Sequence, residues 1–360
     1  MITLHTDHLR FEVSPHGAEP RSLRDASGRE LLWQAADPWN RTACILFPAI
    51  CRHEGDVIRA AENSTDAEGS ADAEGSADAD SSNSAEGNTA TADGGGSART
   101  WPMPKHGLAR DLGFAVVESD DTRAVFALAS TDETLRAFPW DFTLRVEYSV
   151  EDTTVTTRYT VTNRTSTDHG AGTAMPYALG SHPAFAWPLP SAVEATAAET
   201  AESDEDSARR TGTTVSSPRG SDALHVVEFE APTPVAFHRL DADLLLPESH
   251  DTATQLGAAG SLVPLRREFF DAGAVLFPDV VDTAIVYRRL DGEGPRIRLS
   301  WEGFDTLTLW SAPGGEFVCI EPWAGRPQEV GSTTPDTQRT DLQHLEPGAS
   351  RTHVYRISVS

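Results

Sequence analysis

The chain has 360 residues, 39% of them hydrophobic, three cysteines and a formal net charge of −26 at pH 7. Such an acidic field repels nucleic-acid phosphates and anionic lipid, so neither nucleic acid nor membrane is an expected partner, and no run approaches the ~20 apolar residues of a membrane-spanning helix. Cys44, Cys51 and Cys319 show no CxxC spacing, which argues against a disulfide framework or zinc knuckle and fits a reducing cytoplasm.

Taken in chain order, the N-terminal "MITLHTDHLRFEVSPHGAE" lacks the basic start and apolar run of a secretory signal, so a cytoplasmic location is expected. From about 60 to 99 the chain turns to low complexity, with a near-repeat "DAEGSA" and nine acidic residues but no basic one between Arg59 and Arg99. Nothing in it offsets an ordering entropy of ~1–2 kcal/mol per residue, so it reads as a disordered acidic insertion. "RAVFALAS" and then "FTLRVEYSVEDTTVTTRYTVTN" (142–163) alternate with period two. Phe142, Leu144, Val146, Tyr148 and Val150 fall on one face, and the polar "EDTT" predicts a hairpin turn. A second polar insertion covers about 191–222. "RIRLSWEG", "TLTLWSAP", "FVCIEPW" and "THVYRISVS" resume the alternation. The pattern predicts an all-β fold, a large antiparallel β-sandwich formed by residues 1–360 as one domain. It contains neither βαβ alternation nor a glycine-rich phosphate loop.

Four stretches interrupt the alternation with concentrated polar groups: "LFPAICRHEG" (46–55), "PKHGLARD" (104–111), "YALGSHPAF" (177–185) and "CIEPW" (319–323). Between them they supply Arg52, His53, Glu54, His106, Arg110, Asp111, His182 and Glu321. Pro183 biases His182 toward an extended conformation and predicts it at a strand end, where it could donate a proton, bind a metal, contact a sugar or serve structure alone. Glu321 follows the apolar "FVCI", where a carboxylate is costly to bury unless it is paired or functional; an arginine ion pair is the plain alternative. Trp323 offers an apolar plate for a sugar ring. His106, His182 and Glu321 lack the HxD/E or HxxxH spacing that takes two metal ligands from one element, so no metal is expected.

These stretches carry a resemblance. With "VSPHGAEPRSL", "ELLWQ", "ILFPAICRHEG", "KHGLARDLGF", "LGSHPAF", "FVCIEPWAG" and "LEPGAS" in family order, the chain resembles the aldose 1-epimerases of the galactose mutarotase-like superfamily, closest to their short bacterial branch. The resemblance implies a large β-sandwich with a cleft on its concave face, and interconversion of the α and β anomers of free aldohexoses such as galactose or glucose, without metal or other cofactor. It assigns His182 as the proton donor, Glu321 as the base, and His106 and Arg52 (of "R-x-x-G") as sugar contacts. Where relatives place a sugar-binding aspartate, this chain has Gly273, with Asp271 two residues earlier as the candidate replacement. Two rival readings remain at this level. A hexose-6-phosphate mutarotase on the same fold would draw on Arg52, Arg110, Arg266, Arg267 and Arg326. A non-catalytic sugar-binding module is the other, and the presence of both His182 and Glu321 speaks against it.

Overall fold

The computed structural model describes residues 1–61, 98–166, 174–190, 225–231, 236–280 and 283–360. The expected hairpin forms from Phe142–Glu151 and Thr154–Asn163, in register from Glu151 opposite Thr154 to Phe142 opposite Asn163. On the first strand Phe142, Leu144, Val146, Tyr148 and Val150 are all buried, as their alternation requires. The hairpin is part of a nine-stranded antiparallel sheet, in which Ser350–Val359 and then Ile297–Glu302 follow Thr154–Asn163.

A second, seven-stranded antiparallel sheet runs in the spatial order Asp251–Thr252, Ala236–Arg239, Val275–Pro278, Thr306–Trp310, Phe317–Ala324, Leu179–Ala186, Ala43–Leu46. Alternate side chains of a strand point to opposite faces, and the two faces of this sheet do different work. Phe185, Leu307, Leu309, Val318 and Ile320 join Val155, Tyr159 and Ile357 of the nine-stranded sheet in one core. Each such side chain contributes roughly 1.5–3 kcal/mol through its removal from water. Cys44, Leu46, Leu276 and Trp323 point the other way and pack with Leu240 and Leu246 from the loops. The all-β sandwich is therefore the observed architecture, and the second face of the smaller sheet remains for function.

The acidic insertion begins later than its composition implies. Val57–Ala61 and Ala98–Pro102 form an antiparallel pair that includes Ala60 opposite Arg99 and Ala61 opposite Ala98. Residues 60–61 and 98–99 are thus strand, because the ladder extends past the last large side chains; Ala60 is buried and Arg99 lies over the Trp101 ring at 5.4 Å. The remainder of that insertion, 62–97, and the whole of 191–222 lie outside the described residues. Because the ladder closes at Ala61 and Ala98, a short Gly/Ser linker in place of 62–97 is expected to leave thermal melting and anomer-exchange rate nearly unchanged. A loss of soluble protein, or a rate drop beyond about tenfold (~1.4 kcal/mol of barrier), would show that the segment contributes to fold or site.

Candidate active site

The site starts from strand register. Gly180 pairs with Trp323 and Ala184 with Cys319, so His182 stands opposite Glu321 midway between these rungs. On the outer flanks His182 pairs with Cys44 and Glu321 with Thr308. Directly opposed residues project from the same face, so Cys44, His182, Glu321 and Thr308 make one row across four strands. Pairing between Leu179–Ala186 and Phe317–Ala324 lapses around this row, where Pro183 and Pro322 have no N–H to give. His182 therefore lies within its strand and not at the end; Pro183 keeps it extended as expected, but the chain continues to Ala186 because the missing donor falls where the ladder is already open.

His182 Nε2 lies 3.4 Å from Glu321 Oε2, and the Trp323 indole N–H donates to the same oxygen at 3.2 Å. Glu321 is 1% exposed and His182 6%. No arginine reaches the carboxylate among the described residues; an imidazole and an indole hold it instead. The His182 ring stacks on Trp39 at 4.8 Å and meets the edges of Trp310 at 5.7 Å and His106 at 6.0 Å. This wrapping removes water from both groups. Burial drives the His182 imidazolium down to about 3, with Arg110, Lys105 and Arg41 adding repulsion. Burial also pushes the Glu321 carboxyl well above the ordinary carboxylate range, against the Trp323 hydrogen bond and the Lys105 charge. The surroundings thus favour a neutral acid beside a neutral imidazole, which together carry one exchangeable proton.

His106 arrives on a tight turn. It has φ +65° and Gly107 has φ +74°, and a Cβ on Gly107 would sit 2.3 Å from the Phe47 carbonyl oxygen, so the "KHG" glycine is a steric requirement. The Cys51 backbone N–H donates to His106 Nδ1 at 3.0 Å, which puts the proton of the neutral ring on Nε2. Burial, then repulsion from His182, Arg110 and Lys105, holds this ring neutral too.

Trp39, Lys105, His106, Arg110, His182, Thr308, Trp310 and Glu321 surround a cleft of about 150 Å³, completed by Cys51, Leu240, Leu244, Ala274 and Trp323. Apolar cavities of about that volume hold a benzene-sized ring.

Four of the six expected site residues come together here: His182, Glu321, His106 and Trp323. Trp323 is 2% exposed, so it fixes the carboxylate and does not act as an open plate; room for its ring comes from Gly180, where a Cβ would lie 2.8 Å from Trp323 Cδ1. Arg52 is not among the cleft-lining residues; its guanidinium is bound to both carboxylate oxygens of Asp56, at 2.8 and 2.9 Å. Asp271 does not line it either. It caps the short helical turn Arg267–Phe270 and is exposed, and the position that reaches the cleft from this segment is Ala274. Trp39, Trp310, Thr308 and Arg110 line the cleft instead. The Thr308 hydroxyl is buried without a partner, and its only mark in the sequence is the in-phase "TLTLW".

The sequence model of the aldose 1-epimerase family matches residues 96–358. The plasmid-encoded protein LacX of Lactococcus lactis subsp. lactis is 26% identical over 332 residues, 90% of this chain and 87% of LacX. A galactose mutarotase-like protein from Lactobacillus casei has the same fold with a TM-score of 0.76 at 24% identity, each chain covered in full at 100%. A galactose mutarotase related enzyme from Lactobacillus acidophilus follows with a TM-score of 0.72 at 19% identity, over 99% of this chain and 96% of that one. No helix among the described residues is long and apolar enough to cross a membrane. With a galactose mutarotase-like sandwich and a family match spanning residues 96–358, most of its length, the chain belongs to the aldose 1-epimerase family.

Proposed function

We propose that this protein interconverts the α and β anomers of free aldohexoses such as galactose or glucose, with His182 and Glu321 as the proton-carrying pair. The observation that carries this reading is the 3.4 Å contact of His182 Nε2 with Glu321 Oε2 at the cleft, where both are shut off from bulk water. Ring opening needs a proton at the ring oxygen and loss of one from the C1 hydroxyl. In the opening step Glu321 takes the hydroxyl proton, the C1–ring-oxygen bond breaks as the C1 carbonyl forms, and His182 protonates the released ring oxygen. The pair ends as neutral imidazole and carboxylic acid, the form its surroundings favour. The aldehyde turns about C1–C2 and closes through its other face, returning both protons, so the catalyst is unchanged. The ring form calls instead for imidazolium and carboxylate, which balance each other's charge; Lys105 favours the ionised Glu321 and opposes the imidazolium. Trp39 and Trp310 are half-buried and offer their rings to the sugar, while Arg110, His106 and Thr308 supply polar contacts for its hydroxyls.

Free sugars are favoured over hexose 6-phosphates because the five candidate arginines do not converge. Only Arg110 lines the cleft; Arg52 is paired with Asp56, Arg326 with Asp279, and Arg267 donates to backbone carbonyls. Arg266 is exposed beside it. The free, buried thiols Cys44, Cys51 and Cys319 suit a reducing cytoplasm as the place of action. Polarimetry or NMR exchange with galactose, glucose and glucose 6-phosphate tests the proposal. Faster equilibration of the free sugars is expected; acceleration of the phosphorylated sugar alone would overturn it.

A further inference from the structure

We propose that His182, Cys319 and Glu321 form a zinc-binding site on the floor of the cleft, and that the bound ion blocks it. The three residues come from two neighbouring strands: Glu321 is two positions beyond Cys319 and so shares its face, and His182 stands opposite Glu321. One donor atom from each, an imidazole nitrogen, the thiol sulfur and a carboxylate oxygen, all lie within 4.8 Å of one another. Ligands at the usual zinc distances sit roughly 3.3–3.8 Å apart in a tetrahedron, and the nitrogen–oxygen separation is already 3.4 Å.

The donor set selects the metal. One sulfur, one nitrogen and one oxygen suit borderline-soft zinc, not magnesium or calcium, which take oxygen ligands. Three protein ligands leave the fourth tetrahedral position for a water or a sugar hydroxyl, on the side where His182 and Glu321 line the cleft. The Cys319 thiol is fully buried against Ala184, Ala312 and Phe317. It has no part in the proton transfers described above, so a purely catalytic account leaves its place beside the pair unused. Binding releases the thiol proton and the carboxyl proton to water as the two anions ligate the cation. The ion then occupies the two atoms that would otherwise exchange protons with the sugar. The inhibitory consequence rests on the proposed mutarotase chemistry; the binding does not.

Calorimetric titration of the metal-free full-length protein with zinc is expected to show one ion per chain, and cadmium in its place should produce the ultraviolet charge-transfer band of a single thiolate. Zinc should abolish anomer exchange of galactose, and a chelator should restore it. Groups that merely hold a metal ligand in place already contribute about 10–100-fold to affinity, so Cys319→Ser is expected to weaken zinc binding by at least about 100-fold and to remove the band. Its exchange rate in metal-free buffer should remain within a few-fold of the wild type. Because serine places a hydroxyl in an apolar packet, Cys319→Ala is the companion variant with the same expectation. Wild-type protein that binds zinc without a thiolate band, or binds none, would overturn the proposal, as would equal zinc inhibition of wild type and both variants. If the protein proves to have no exchange activity at all, the titration and the band still decide the site.

Discussion

Anomer exchange by His182→Asn is expected to fall by about two to four powers of ten, the usual range of general acid–base catalysis. Asparagine keeps a polar amide at the site but cannot cycle a proton near neutral pH. The buried ring it replaces stacks on Trp39 and touches Trp310 and His106, so a modest loss of packing accompanies the change. The decisive comparison is therefore sugar binding by calorimetry, which should survive, against turnover by polarimetry, which should not. Near-wild-type turnover would return His182 to a structural role.

For Glu321→Gln the rate should collapse while the fold is kept, and the reason for the second part lies in the electrostatics. Removing a buried ion usually leaves its partner uncompensated. Here burial holds Glu321 toward its neutral acid and His182 toward its neutral base, so a neutral amide of the same shape leaves no stranded charge and can still accept from the Trp323 N–H. Melting temperature should hardly move. The same electrostatics shape the pH profile of kcat/KM. A second proton enters the pair only as His182 is charged, and its value is displaced from 6.5 to about 3. The acid limb should thus fall well below the ordinary imidazole range. The shared proton leaves only as Glu321 ionises, and that value is displaced upward from 4.5, so the alkaline limb moves up. A wide plateau is expected, with limbs that belong to the pair and not to either residue. An acid limb centred near 6.5 would contradict the neutral pair, and persistent turnover in Glu321→Gln would remove the carboxylate from the reaction.

Some of this was readable from the residues alone, and the division has physical causes. The hairpin over 142–163 declares itself because the side chains alternate with period two and the in-phase positions are mostly β-branched or aromatic, and the structure buries that face. His182 and Glu321 stand out because each is a titratable group inside an apolar run and beside a proline. Arg52 and Asp271 were expected at the sugar and do not line the cleft: the first is taken by a carboxylate four residues on, the second ends a helical turn at the surface. Ion pairing and turn geometry depend on three-dimensional neighbours that a motif does not encode. Trp39 and Thr308 carry the opposite lesson. Trp39 lies in an unremarkable loop whose carbonyl is held by the Trp33 indole at 2.7 Å, and Thr308 looks like any threonine of a strand until its rung is known.

The open rung at Pro183 and Pro322 also bears on how this scaffold can diversify. Donor and acceptor groups of many enzymes sit on loops, so their separation changes with loop length. Here the spacing of the two titrating groups is a lattice property, the interstrand repeat of about 4.8 Å, and it is indifferent to what joins one strand to the next. The chain between Ala186 and Phe317 can accept insertions, including polar tracts such as 191–222, at an entropic cost that grows only slowly with length. Peripheral elaboration and reaction geometry are thereby separable variables, so new specificities can be grafted onto the rim without retuning the chemistry beneath it.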